Sequence, residues 1–215
     1  MIVDERYTTY LNSLYPELSP VLKEIQKEAI ETYVPIIRPE TINLLQLLIK
    51  MNQPKNILEV GAAVGFSANL MAEAAGDEVK ITTIENYLPR IPIANANFKR
   101  TGRDGQITLL EGDAMEILPT LEGPFDFIFM DAAKGQYINF WPEVKRLIKD
   151  GGVIVTDNVL QDGDIIESRF AITRRNRTIH KRMRDYLYEL THDEGFSTTI
   201  LPLGDGVSIS VKGKK

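Results

Sequence analysis

The chain contains no cysteine, and this absence narrows the chemistry that it can perform. Disulfide bonds, thiolate metal centres and cysteine nucleophiles are all excluded. No apolar run approaches the length of a transmembrane helix, and the amino terminus has neither the basic nor the apolar region of a secretion signal. We therefore expect a cytoplasmic protein that does not enter a membrane.

Histidine and tryptophan are also scarce, with two and one present among the 215 residues. Neither His180 nor His192 has a partner visible in the sequence, and both are predicted to lie at the surface. Trp141 falls inside an apolar helix pattern and is predicted to be in the core. The length and an ordinary hydrophobic content of 43% predict one α/β domain over residues 1–215, with a helical cap at 1–52.

Positive charge is concentrated in one segment, although the chain as a whole has a net charge of −5. Between residues 168 and 184 there are seven basic residues and no acidic one, so the remaining residues carry −12. Such a concentration predicts a polyanionic partner, whereas the alternative is a solvated helix face. The cations of this basic segment (residues 168–190) are Arg169, Arg174, Arg175, Arg177, Lys181, Arg182 and Arg184.

From residue 56 onward, short apolar runs alternate with helical patterns, which is typical of a doubly wound parallel sheet. Strands are predicted at 56–60, 80–84, 106–110, 125–130 and 152–156, with helices at 66–75, 88–101, 114–121 and 136–149. The amino-terminal part predicts three helices, at 7–14, 18–33 and 39–51. A basic helix at 174–190 precedes two strands, 197–203 and 207–212, which predict an antiparallel hairpin closing the sheet.

Oxygen ligands for a metal follow two of the predicted strands. Asp131 comes directly after the fourth strand, and Asp157 and Asn158 come after the fifth. Because ligands bind beyond the carboxyl ends of such strands, we expect the three side chains to converge. Two carboxylates and an amide oxygen suit Mg²⁺ or Ca²⁺. The alternative is that Asp131 caps the next helix and the other two residues cap a turn.

A glycine loop and two acidic positions predict a nucleotide cofactor. Gly61 follows the first strand, but Ala63 replaces the glycine that approaches a pyrophosphate in the dinucleotide pattern. Glu85 ends the second strand, where a carboxylate can accept hydrogen bonds from ribose hydroxyls, and Gly112 and Asp113 follow the third. This order indicates S-adenosylmethionine rather than NAD. Taken singly, the loop is equally explained by helix–strand packing and Glu85 by a solvated strand end.

These residues resemble the metal-dependent class I methyltransferases of the catechol O-methyltransferase type. Within that family the chain is most similar to the bacterial tRNA 5-hydroxyuridine methyltransferases, which make 5-methoxyuridine at the wobble position. The likeness extends from residue 34 to residue 212. Besides the arginine-rich stretch, it is carried by Val34-Pro35-Ile36, Asp131-Ala132-Ala133-Lys134-Gly135-Gln136-Tyr137, Thr156-Asp157-Asn158-Val159-Leu160 and Gly204-Asp205-Gly206.

The resemblance implies a Rossmann-like class I methyltransferase fold, in which a seven-stranded, mostly parallel sheet carries an antiparallel carboxy-terminal hairpin and amino-terminal helices. It implies Mg²⁺ ligands at Asp131, Asp157 and Asn158, and catalytic roles for Lys134, as the proposed general base, and Asp131. The implied cofactor residues are Ile37, Glu59, Gly61, Ser67, Glu85, Gly112, Asp113, Ala114 and Asp131. The implied RNA-binding residues are Arg174, Arg175, Arg177, Lys181 and Arg182. Asn86 departs from the family, which often has arginine after the ribose-binding acid.

A bound Mg²⁺ with two free adjacent positions favours acceptors that bear neighbouring oxygens. The expected reaction is therefore methyl transfer from S-adenosylmethionine to the 5-hydroxyl of 5-hydroxyuridine in a tRNA anticodon loop. A small-molecule catechol or phenolic O-methyltransferase is the alternative, and a non-catalytic RNA-binding protein is a third reading. The alternative to a general-base role for Lys134 is that this lysine only orients the acceptor or pairs with Asp131. By analogy with relatives, a homodimer is expected.

Overall fold

The computed structural model describes residues 3–214, so the first two residues and the last residue of the predicted 1–215 domain lie outside the described part. Within residues 3–214, eight α-helices and seven strands are present. The helices are α1 (Glu5–Leu14), α2 (Pro20–Glu31), α3 (Pro39–Asn52), α4 (Phe66–Ala75), α5 (Ile91–Arg100), α6 (Ala114–Ile117), α7 (Tyr137–Leu147) and α8 (Arg177–His192). The strands are β1 (Asn56–Val60), β2 (Lys80–Glu85), β3 (Ile107–Glu111), β4 (Phe125–Met130), β5 (Ile148–Thr156), β6 (Phe196–Leu201) and β7 (Val207–Lys212).

One sheet contains all seven strands in the order β3-β2-β1-β4-β5-β7-β6. The pairs among β1 to β5 are parallel, whereas β7 is antiparallel to both β5 and β6. The predicted fold, including the closing hairpin, is confirmed. The chain proceeds outward from β1 to β3 on one side and from β4 to β5 on the other, which makes the β1–β4 boundary the switch point where ligands bind in such sheets.

Alternate side chains of the central strands build two separate cores, because successive strand residues point to opposite faces. Phe127 and Phe129 belong to one cluster, formed mainly with helices α2 to α5. Ile128 and Met130 belong to the other, with α7 and α8. Covering both faces of β4 holds its carboxyl end rigidly in the middle of the molecule.

Several element ends differ from the sequence expectation for local reasons. The helix predicted at 88–101 begins at Ile91, because a turn from Tyr87 to Arg90 precedes it and Pro92 fits the first helical turn. Helix α8 begins at Arg177 and not at 174, since a turn joins Thr173 to Asn176. The first half of the basic segment is therefore a loop.

The prediction that His180 lies at the surface is wrong. Its side chain is 2% exposed, and Nε2 has no hydrogen-bond partner within residues 3–214. His180 lies on the same buried face of α8 as Met183 and Tyr186. Its position along the helix therefore turns its side chain toward the core. Trp141 is in the core and His192 is exposed, as expected. No helix in the described residues is long and apolar enough to cross a membrane.

Candidate active site

The carboxyl ends of β1, β4 and β5 are tied together by backbone hydrogen bonds. The amide of Asp131 donates to the carbonyl of Val60 over 3.0 Å, and the amide of Asp157 donates to the carbonyl of Met130 over 3.0 Å. These bonds continue the parallel ladders by one residue beyond the strands. Both acidic side chains are therefore placed by the sheet itself and not by flexible loops.

A cavity of roughly 800 Å³ opens at these strand ends. Nine of the residues predicted for the site line it: Gly61, Glu85, Gly112, Asp113, Ala114, Asp131, Lys134, Asp157 and Asn158. Three predicted cofactor residues do not line it, namely Ile37, Glu59 and Ser67. Ile37 is instead buried in a hydrophobic core, while its neighbours Ile36 and Arg38 reach the cavity wall.

Glu59 and Ser67 lie beneath the glycine loop and hydrogen-bond to each other. The fully buried Glu59 carboxyl accepts from the hydroxyls of Ser67 and Thr83, each over 2.5 Å. Burial raises the pKa of Glu59 to about 7, against the lowering effect of these two bonds. In this structure the pair joins β1, β2 and α4, so it supports the loop from below, and direct cofactor contact stays a prediction for both residues.

The carboxylate of Glu85 organises the backbone at the end of the cavity next to the glycine loop. Its Oε2 accepts from the amide of Ala63 over 2.7 Å. Its Oε1 accepts from the amides of Asn86 and Tyr87 over 3.0 and 2.7 Å. One side chain thus fixes both the glycine loop and the turn after β2, a role that the sequence did not reveal.

Gly61 needs to be glycine because its backbone has φ +105° and β4 passes directly over it. A Cβ at this position would overlap the carbonyl oxygen of Asp131 and lie 2.8 Å from its carbonyl carbon. Gly102 also has a positive φ, of +70°, but a Cβ there meets no atom within 4 Å. Comparing the two positions separates backbone strain from steric overlap.

We expect Gly61→Ala to lower the free energy of unfolding much more than Gly102→Ala. The control carries only the left-handed backbone strain of about 1 to 2 kcal/mol, whereas Gly61→Ala must also push β1 and β4 apart. Urea unfolding of both variants measures the difference. Equal losses would show that the close approach of Asp131 does not constrain the loop.

Asp131 lies near enough to Asp157 for its charge to disfavour the ionisation of Asp157. Burial is the largest effect, and it raises the pKa of Asp131 to about 6 and that of Asp157 to about 7. The charge of Asp131 acts in the same direction on Asp157, while the ammonium of Lys134 opposes the shift at both. The pair is thus short of positive charge.

Asn158 stands beside this pair with φ +61°, an unusual value for a residue other than glycine. Its backbone N–H donates to Asp157 Oδ1 over 2.8 Å. Two carboxylates whose charge Lys134 compensates only in part form, with the side chain of Asn158 in the same cavity, a donor set that fits Mg²⁺. No cluster of three or more His, Cys, Asp or Glu side chains suited to a metal occurs in residues 3–214, so the amide would have to serve as the third protein ligand.

The sequence reasoning missed a buried acid, Asp205, in the turn between β6 and β7. It is 3% exposed, and its Oδ2 lies 2.9 Å from the ammonium nitrogen of Lys134. Its Oδ1 accepts from the amide of Asp162, whose carboxylate pairs with Arg38 over 2.8 Å. In the sequence, Gly204-Asp205-Gly206 contributes only to the family resemblance, because nothing in its spacing indicates that it approaches Lys134.

Helix α8 connects the basic segment to the turn that carries Lys134. Arg182 Nη1 donates over 3.2 Å to the carbonyl of Gly135, in the turn that carries Lys134. Arg177 bonds the carbonyl of Ile172 over 3.2 Å, and Lys181 pairs with Asp185 over 2.5 Å on the helix. Arg174 and Arg175 are exposed and make no ion pair within residues 3–214. Three of the five predicted RNA-binding cations are thus engaged by the protein.

The sheet order and the acidic cavity at its switch point define a Rossmann-like methyltransferase, and comparison with known proteins agrees. The SAH-bound methyltransferase of Podospora anserina superposes with a TM-score of 0.87 at 26% identity, covering 98% of this chain and 95% of that one. A caffeoyl-CoA O-methyltransferase of Medicago sativa is 32% identical, over 77% of this chain and 70% of its own. A catechol O-methyltransferase of Niastella koreensis is 37% identical, over 61% of each protein.

A family model described as O-methyltransferase matches residues 12–213. The chain belongs to this O-methyltransferase family. Its class of activity is S-adenosylmethionine-dependent O-methyl transfer.

Proposed function

We propose that this protein is a Mg²⁺-dependent O-methyltransferase whose acceptor is the 5-hydroxyl of 5-hydroxyuridine at the tRNA wobble position. The observation that carries the metal dependence is the pair Asp131 and Asp157, two neighbouring buried carboxyls with raised pKa values, in a cavity that Asn158 also lines. A tRNA substrate implies that the enzyme acts in the cytoplasm.

Each side of the cavity has a separate task in this reaction. Glu85 would accept hydrogen bonds from the ribose of S-adenosylmethionine, which supplies the methyl group as a sulfonium. Asp131, Asp157 and Asn158 would hold Mg²⁺, which supplies Lewis-acid stabilisation of an acceptor with adjacent oxygens. Lys134 lines the cavity, where its ammonium could donate a hydrogen bond to the acceptor oxygen and stabilise the oxyanion. To act as the predicted general base it would first have to lose its own proton.

The basic segment supports RNA as the acceptor. Its helical half is anchored beside Lys134 by the bond from Arg182 to Gly135. Its loop half carries Arg174 and Arg175 with their side chains in solvent, and arginines of this kind bind phosphates. 5-Hydroxyuridine meets the metal's requirement, because its 5-hydroxyl neighbours the C4 carbonyl oxygen.

Replacing Arg174 and Arg175 together by alanine should raise the KM for tRNA about tenfold and flatten its salt dependence. Each phosphate contact contributes to the slope of log affinity against log salt, so two losses should reduce that slope by about two. The matched control is Lys27→Ala with Lys50→Ala, which removes the same charge from α2 and α3. Unchanged kinetics on tRNA in the arginine variant would count against RNA.

A small-molecule acceptor is the second candidate, favoured by the relatives that are named for caffeoyl-CoA and catechol. The discriminating assay gives the purified enzyme S-adenosylmethionine with either tRNA containing 5-hydroxyuridine or a dihydroxyphenol, in Mg²⁺ and in EDTA. We expect a higher kcat/KM for the tRNA and no turnover in EDTA. Faster turnover of the dihydroxyphenol would transfer the proposal to that substrate class.

We also propose that the enzyme is a homodimer, because helix α1 buries none of its residues and leaves four large apolar side chains in water. These are Tyr7, Tyr10, Leu11 and Leu14, which are 44–63% exposed. A second copy of the chain would cover them. Light scattering should give twice the chain mass of 24.3 kDa. Leu14→Glu should shift the measured mass toward that of the monomer. A monomeric wild type would refute this assembly.

A further inference from the structure

Asp205 lies in the turn between β6 and β7, yet only 3% of its side chain is exposed. It sits between Gly204 and Gly206, which have φ +57° and +88°, in the connection from β6 to β7. A Cβ at Gly206 would overlap Leu160, so the turn lies flat against the segment that follows Asn158. Backbone bonds of 2.9 and 3.0 Å, from Val159 to Gly206 and from Leu160 to Asp205, hold it there.

Both oxygens of the Asp205 carboxylate are used inside the protein. Oδ1 accepts from the amide of Asp162, and Oδ2 meets the ammonium of Lys134 at 2.9 Å. Lys134 is the more exposed partner, at 36% of its side chain. A buried carboxylate left without its counter-ion is costly, so Asp205 has a strong physical reason to keep Lys134 in place.

The same contact decides where the lysine nitrogen can go. Lys134 belongs to a short 3₁₀ turn after β4 and is a flexible side chain by nature. Without a partner its ammonium would be drawn toward Asp131 and Asp157, whose pKa values it already lowers. The contact with Asp205 gives the ammonium a fixed alternative partner on the hairpin.

We propose that Asp205 is a positioning residue, which acts on the reaction only by holding the nitrogen of Lys134 at the acceptor end of the cavity. This inference rests on the proposed methyl-transfer function and adds a residue to it. It also connects the closing hairpin of the sheet to catalysis, since the β6–β7 turn supplies the only contact of this kind to Lys134 in the described residues.

A double-mutant cycle tests the proposal with Asp205→Asn and Lys134→Met. Asparagine keeps an acceptor for the amide of Asp162 but removes the charge, so the turn is retained. We expect Lys134→Met to lower kcat about 100-fold, within the range of acid–base and orienting residues, and Asp205→Asn to lower it about tenfold. In the Lys134→Met background, Asp205→Asn should cause no further loss, and the KM for S-adenosylmethionine should stay within twofold throughout.

Asp193→Asn is the matched control, because Asp193 also pairs with a lysine, Lys145 at 3.0 Å, and accepts from a backbone amide, that of Gly195 at 2.9 Å. It lies outside the cavity lining, and kcat should not change. If Asp205→Asn impairs folding, the cycle is repeated with Asp205→Glu. This variant retains the charge but displaces it by one methylene.

The outcomes separate this inference from the function on which it rests. Wild-type methyl transfer together with multiplicative losses in the double mutant would overturn the positioning role, because Asp205 would then act independently of Lys134. A parallel fall in cofactor affinity for Asp205→Asn would overturn it too, since it would reveal a general structural defect. Absence of methyl transfer by the wild type with every acceptor would overturn the proposed function itself.

Discussion

Replacing Asp157 by asparagine is expected to reduce methyl transfer about 1,000-fold, corresponding to roughly 4 kcal/mol of transition-state stabilisation. The variant keeps the size of the side chain but removes one of the two carboxylates proposed to bind Mg²⁺. Steady-state kinetics at saturating Mg²⁺ measure the loss. Asp150→Asn is the control, since Asp150 lies on the same strand but near its opposite end and is exposed.

The same substitution should stabilise the metal-free protein at neutral pH. The folded carboxyls of Asp131 and Asp157 have pKa values of about 6 and about 7, against 3.8 when unperturbed. Between these values the folded state binds more protons than the unfolded state, so stability is lost as pH rises from about 4 to about 7. Urea unfolding in EDTA should show this decline in the wild type and a smaller one in Asp157→Asn. An equal decline in both proteins would contradict the electrostatic account.

Replacing Glu85 by glutamine should weaken the binding of S-adenosylmethionine by about 100-fold or more. The carboxylate accepts hydrogen bonds from three backbone amides at once. In glutamine an NH₂ group replaces one of the two oxygens, and it cannot accept a hydrogen bond from an N–H group. Hydrogen bonds to a charged group contribute about 1.5 to 3 kcal/mol each, so losing one or two of them accounts for this factor. Calorimetric titration with S-adenosylmethionine measures the effect.

Glu111→Gln provides the control for this variant. Glu111 pairs in register with Glu85 on the neighbouring strand, but its side chain is exposed. Its substitution should leave cofactor affinity within twofold. Similar losses at both positions would mean that the sheet edge in general, and not the carboxylate of Glu85, determines binding.

The fold was predictable because the pattern of buried strands is local and dense. Each predicted strand from 56 to 156 is present, and even the change to an antiparallel hairpin is visible as two runs joined by Gly204-Asp205-Gly206. The ends of elements were harder to place, because turns such as Thr173–Asn176 hold residues whose own preferences suit a helix. The burial of His180 was also not predictable, since only the packing of α8 determines which face of this helix is buried.

The site was predictable where the sheet alone places a residue. Asp131, Asp157 and Glu85 follow or end strands, so parallel pairing brings them to one edge. Contacts between segments distant in sequence were not predictable, and the bond from Lys134 to Asp205 spans 71 residues. No spacing rule connects a hairpin turn to a loop on another part of the sheet.

Nucleoside mass spectrometry of tRNA from a strain lacking this gene tests the central claim most directly. The strain is complemented with either the wild-type gene or the Asp157→Asn variant. The account predicts loss of 5-methoxyuridine and accumulation of 5-hydroxyuridine in the deletion strain, with rescue by the wild type alone. Unchanged 5-methoxyuridine in the deletion strain would contradict the tRNA assignment, and rescue by Asp157→Asn would contradict the role of the two carboxylates.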